Sequence, residues 1–185
     1  MKAKKLISIF ILAAALLAGC AKPAPAPSPA PTPSDATPDK VTTASIVDNA
    51  AAFEKAIGSS GTWIIAITKD LTIDKDLVLD GEFKNGKKDA EGKDIIQRKI
   101  ALYAQDANRN ITARYTLTAP RLTINSPEAS IQHGTFKGDL YVSSKNFKLV
   151  DATVDGNVYF TADEAKGTFT MDDKSKVTGK QEIKK

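Results

Sequence analysis

The strongest constraint on the fold of this chain is a recurrence of short apolar alternations, each closing on a glycine. LTIDKDLVLDG (71–81), FKLVDATVDG (147–156) and FTMDDKSKVTG (169–179) share the pattern, and LTINSPEASIQHGTFKG (122–138) is the same unit with an insertion. The glycines fall at positions 81, 138, 156 and 179, so the later intervals are close to the roughly 20 residues of one β-solenoid coil. Two of these glycines open a closer repeat, GDLYV (138–142) and GNVYF (156–160). In a solenoid, equivalent residues of successive coils stack about 4.8 Å apart. This predicts Leu140 over Val158 and Tyr141 over Tyr159, with Leu140, Val142, Val158 and Phe160 as the inner row.

The expected fold is therefore all-β, a right-handed parallel β-helix. An antiparallel sandwich has the same local signals, but its turns return every 8 to 12 residues or so, whereas glycines followed by Asp139 and Asn157 recur at a coil-like period. Further alternations are Trp63, Ile65 and Ile67, Leu77 and Leu79, and Leu122 and Ile124. The one helical pattern is Ser45 to Ile57: Ser45 or Asp48 can cap it, Val47, Ala50, Phe53 and Ile57 share a face, and Gly58 stops it. An open solenoid end exposes core and unpaired strand edges, so this helix is expected to cap the first coil. Two polar stretches, KNGKKDAEGKD (84–94) and AQDANRNITAR (104–114), read as excursions from the wall. The sequon at Asn110 is read as chance.

The first 40 residues are not fold material. Lys2, Lys4 and Lys5 precede an apolar run from Leu6 to Leu17, too short for a comfortable permanent span, and Ala18 and Gly19 precede Cys20. This charged, apolar and small-residue layout resembles the lipobox of bacterial lipoproteins. The resemblance implies a signal peptide over 1–19, acylation of the Cys20 thiol, membrane lipid as a partner through Cys20, and residence on the extracytoplasmic face of the cell membrane. From Ala21 to about Lys40, seven of the chain's nine prolines lie among Ala, Ser and Thr. Such a linker cannot bury apolar surface and favours polyproline II or disorder. Residues 41–185 are left as the domain.

Charge supports this division. The whole chain has 26 basic and 22 acidic residues, but three of the basic ones lie in the signal, so the remainder is nearly neutral and no nucleic-acid partner is expected. Cys20 is the only cysteine, so the domain has neither a disulfide nor a thiolate metal cluster.

From about residue 60 to 183, the alternation, corner glycines, leading helix and lipobox resemble the lipoproteins of Firmicutes that carry a pectin-lyase-like parallel β-helix. GDLYV and GNVYF also resemble the coils of bactofilins, which self-assemble. The first resemblance brings polysaccharide lyases and hydrolases into view. Paired Asp172 and Asp173 and the dipeptide His133-Gly134 are the parts of such a site, but their order is reversed and the Arg-Ile-Lys run is missing. Neighbours on a strand point to opposite faces, so Asp172 and Asp173 cooperate only in a turn. Asp80, Asp139, Asp151 and Asp155 are read as corner residues rather than calcium ligands. No catalytic residue, metal ligand or cofactor is assigned. Tyr103, Tyr115, Tyr141, Tyr159 and Phe160 are candidates for sugar stacking, with Tyr141 and Tyr159 the foremost, although a stabilising ladder along the wall is the favoured reading of them. The expected role is a non-catalytic structural or binding module of the cell envelope, with a cell-wall or other glycan as ligand. The alternatives are a polysaccharide lyase or hydrolase and a scaffold that associates end to end.

Overall fold

The computed structural model describes residues 44–184, so the signal segment, Cys20 and the proline-rich linker lie outside the described residues. The first element is a strand, β1 (Ser45–Val47), and α1 (Ala50–Ile57) follows it. The helix is thus shorter than the sequence pattern predicts. Val47 and Ala50 fit a helical face, but residues 45–47 pair in parallel with 65–67. Ser45 is no helix cap; its backbone N–H donates to Thr62 Oγ1 at 3.2 Å, and that hydroxyl donates to Ser45 Oγ at 2.8 Å. The cap is Asn49, in extended backbone, whose side-chain oxygen accepts from the Ala52 N–H at 2.9 Å. Phe53, Ala56 and Ile57 are buried beneath the helix.

Strands β2 (Ile64–Ile67), β3 (Leu71–Thr72) and β4 (Leu77–Leu79) complete the first passage. Then β5 (Lys84–Lys88) and β6 (Asp94–Ile96) form an antiparallel hairpin, closed by Lys84 and Lys88 on Asp94 at 2.6 and 2.8 Å. After β7 (Arg98–Ala101), a second hairpin is made by β8 (Tyr103–Gln105) and β9 (Ile111–Arg114). Both polar excursions read from the sequence are these hairpins. Strands β10 (Thr116–Ile124), β11 (Ala129–Gln132), β12 (Thr135–Val142), β13 (Lys148–Val150), β14 (Thr153–Asp155) and β15 (Val158–Phe160) follow with short connections. A five-residue helix, α2 (Asp163–Gly167), precedes β16 (Thr170–Met171), β17 (Lys176–Val177) and β18 (Gln181–Ile183).

The architecture is all-β in its core, with two sheets in which every pairing is parallel. One runs β1-β2-β7-β11-β13-β16; in the other, β10 lies between β12 and the pair β3 and β4, and β12 is followed outward by β14 and β15, then β17 and β18. The chain alternates between the two sheets, so equivalent residues form files. Leu77, Leu122, Leu140 and Val158 make one file, and Leu79, Ile124, Val142 and Phe160 make another. Ile65, Ile100, Ile131 and Leu149 make a file in the six-stranded sheet. All twelve are buried, and Leu140, Val142, Val158 and Phe160 do form an inward row. At about 1.5–3 kcal/mol for each large apolar side chain fully buried, these files are the main favourable term of the fold.

The corner glycines are set by close approach. A Cβ on Gly138 would lie 1.9 Å from the Ala119 carbonyl oxygen, and one on Gly156 would lie 2.1 Å from that of Gly138. Such backbone-on-backbone stacking admits no side chain. Other corners use residues with left-handed backbone and a polar side chain: Glu128 over Asn146, and His133 over Asp151, with φ between 49° and 60°. Each member of these pairs reaches its partner 18 residues away. Arg98 closes the helix end. Its guanidinium is fully buried, donates to the carbonyls of Ala56 and Gly58 at 2.8 and 3.0 Å, and lies 3.7 Å from the centre of the Phe83 ring. Burial draws its pKa down to about 10, with Asp80 opposing, so it stays cationic at neutral pH.

Candidate functional site

Tyr141 and Tyr159 point outward from β12 and β15 in direct register, as the repeat of 18 predicts. Their ring centroids are 4.9 Å apart, and the planes are tilted by 47°. Cations occupy the faces of both rings: Arg121 stands 4.5 Å from Tyr141, and Lys184 stands 4.4 Å from Tyr159 and 5.6 Å from Tyr141. Lys184 Nζ also donates to the Tyr141 hydroxyl at 3.1 Å, which raises the lysine pKa. A sugar would have to displace Arg121 or Lys184 to stack here. The strip is built as a cation-braced ladder. The other candidates do not join it: Phe160 is buried, Tyr115 packs against the core, and Tyr103 lies in the second hairpin.

Two of the four corner aspartates hold turns through their carboxylates. Asp139 Oδ1 accepts from the Asn157 side chain at 2.9 Å and from its backbone N–H at 3.2 Å. Asn157 Oδ1 in turn accepts from the Lys180 N–H at 2.9 Å. Asp155 accepts from Thr178 Oγ1 at 3.1 Å. Asp80 is tied through its backbone N–H, which donates to the Ile57 carbonyl at 3.0 Å. Among the described residues, no group of three His, Cys, Asp or Glu is placed to hold a metal ion.

Asp151 differs, because it gathers residues from successive passages of the chain. Its Oδ2 accepts from Arg114 Nη2 at 2.5 Å and lies 3.1 Å from His133 Nδ1, while Arg114 Nη1 donates to its backbone carbonyl at 3.2 Å. Arg114 first, then His133, holds the carboxyl pKa below its ordinary value. The Tyr103 ring meets the His133 ring edge-on with centroids 4.6 Å apart, and burial raises the tyrosine pKa. Of the aspartate pair weighed in the sequence as part of a hydrolase-like site, only Asp172 meets this cluster. Both carboxylate oxygens of Asp172 accept from the Asp151 N–H at 3.0 Å, and Oδ1 accepts from Ser175 Oγ at 2.6 Å. Asp173 lies in the turn beyond, outside these hydrogen bonds. Glycine at 134 has a packing cause, since a Cβ there would lie 2.4 Å from that of Leu102.

The cluster therefore holds an imidazole oriented by a carboxylate through Nδ1. Its side-chain hydrogen bond among the described residues goes to Asp151, with no serine, threonine or cysteine hydroxyl or thiol attached. Arg114 was missed in the sequence because its place depends on the pairing of Tyr103 with Arg114 inside the hairpin. The signal for His133 and Asp151 was present, because they are separated by the same 18 residues as the two tyrosines. No protein family, curated protein or solved structure matches the chain.

Proposed function

We propose that the protein is a lipoprotein in which residues 41–185 form a right-handed parallel β-helix, capped at its first coil by α1. In this reading an acylated Cys20 holds it on the extracytoplasmic face of the cell membrane as a non-catalytic structural or binding module. The observation that carries the non-catalytic reading is the use of its polar side chains. Asp139 and Asp155 accept hydrogen bonds from the next corner, Asp172 accepts from the preceding one, and Asp151 is clamped between Arg114 and His133. Groups that a polysaccharide lyase or hydrolase would need free to take up or release protons are committed to the wall. The alternation of the chain between two parallel sheets supports the β-helix, and the lipobox-like end of the apolar run supports the anchor.

The anchor is tested by fractionating cells that express the full chain or its Cys20→Ser variant. The expected outcome is membrane-bound, fatty-acid-labelled protein for the first, and an unlabelled, unprocessed precursor for the second. Label retained in the variant would refute acylation at Cys20. Incubation with a panel of acidic and neutral polysaccharides should release no reducing or unsaturated ends; release would overturn the non-catalytic reading.

A second reading, an end-to-end scaffold, is favoured by one observation. Strands β16, β17 and β18 each pair on one side only among the described residues, and Met171 and Ile183 beside those edges are exposed.

A further inference from the structure

The outer face of the six-stranded sheet holds a groove unlike the ladders elsewhere. Two outward files cross this face. One runs Ile64, Lys99, Ser130 and Lys148, and the other runs Ile46, Ala66, Ala101, Gln132 and Val150. Where the second file narrows to Ala66 and Ala101, the small side chains leave a hollow of about 340 Å³. Ile46, Ile64, Lys99 and Tyr103 stand around it. The hollow is preformed, because its Tyr103 wall rests on His133, which is fixed by Asp151 and Arg114.

Two features show what it lacks. Ile46 is 73% exposed, the most exposed large apolar side chain among the described residues. Lys99 is half-buried, and burial alone draws its pKa down. Its ammonium lies 6.0 Å from the Trp63 ring, and among the described residues it forms no ion pair, whereas Lys148 in the same file lies 3.7 Å from Glu128. A desolvated cation without a counter-charge is costly, and an anion beside it offsets that cost. An aliphatic floor offers few hydrogen bonds to a sugar but fits a hydrocarbon chain.

We propose that this groove binds a single-chain fatty carboxylate, its head on Lys99 and its chain along Ala66 and Ala101 against Ile46. The inference is independent of acylation at Cys20. Trp63 is the only tryptophan of the chain and adjoins Lys99, so its fluorescence reports on the head-group end directly. The test uses the full chain carrying Cys20→Ser, titrated with dodecanoate below its micelle concentration. Dodecyl maltoside, acetate and polygalacturonate serve as probes of tail, head and anionic glycan alone. Dodecanoate should give a saturable change, with the other three at least tenfold weaker. Lys99→Gln should weaken dodecanoate about tenfold, Lys99→Arg should stay within about threefold, and Ala66→Phe should block the chain, with circular dichroism confirming the fold of each. Equal binding of dodecyl maltoside, or tighter binding of polygalacturonate, would overturn the proposal, as would dodecanoate binding unchanged by Lys99→Gln.

Discussion

At the scale of single residues, spacing was more informative than residue type. The stack of Tyr141 on Tyr159 could be read because the interval of 18 recurs, and it is present in register. The cations on those rings could not be read, since Arg121 and Lys184 are far apart in sequence and reach the tyrosines only after folding. The same holds for Arg114 on Asp151. These carboxylates also set the response to acid. Asp94, Asp151 and Asp172 all have pKa values below the ordinary value, Asp94 at about 2 through Lys84 and Lys88. The folded state thus releases these protons more readily than the unfolded chain, so the stabilisation is complete above about pH 4 and is lost as pH falls towards 2. Thermal melting followed between pH 5 and 2 should show a falling midpoint. Asp172→Asn should make that fall shallower, and an identical profile would show that Asp172 is not among the groups responsible.

The elements were legible where the core dictates them and obscure where local pairing decides. The alternations at 77–79, 122–124 and 140–142 became strands because each places its apolar residues on the two inward files. The start of α1 was misread because Val47 suits a helix face and a strand equally, and only pairing with Ile67 distinguishes them. The polar stretches announced departures from the wall but not the antiparallel hairpins that form them. Helix α2 had its own trace: the interval from Gly156 to Gly179 is longer than that from Gly138 to Gly156, and the lengthening has largely occurred by Thr170, which pairs with Lys148. The corner glycines give the sharpest test at this scale. Gly156→Ala forces a Cβ onto the Gly138 carbonyl and should cost about 3 kcal/mol or more in urea unfolding. Gly167→Ala, with nothing within 4 Å, should change stability by less than about 0.5 kcal/mol.

For the molecule as a whole, the ends differ more than the sides. At the start of the sheets, α1 buries Phe53, Ala56 and Ile57, and Arg98 satisfies its last carbonyls. At the other limit, β18 is exposed along its length, and Ile183 lies in a strand that pairs on one side only among the described residues. If this edge associates, sedimentation of the full chain carrying Cys20→Ser should show mass rising with concentration, and adding Ile183→Lys should hold it at the monomer. A monomer across a hundredfold range without that change would remove the scaffold reading. The parallel stacking has one more consequence. Because the strands within each sheet are parallel and successive passages add on the same side, the domain has a direction: the described chain starts at one pole and finishes at the other. One pole offers a helix and the other offers strand edges unpaired among the described residues, so a neighbour sensitive to that difference would meet the protein in a single orientation.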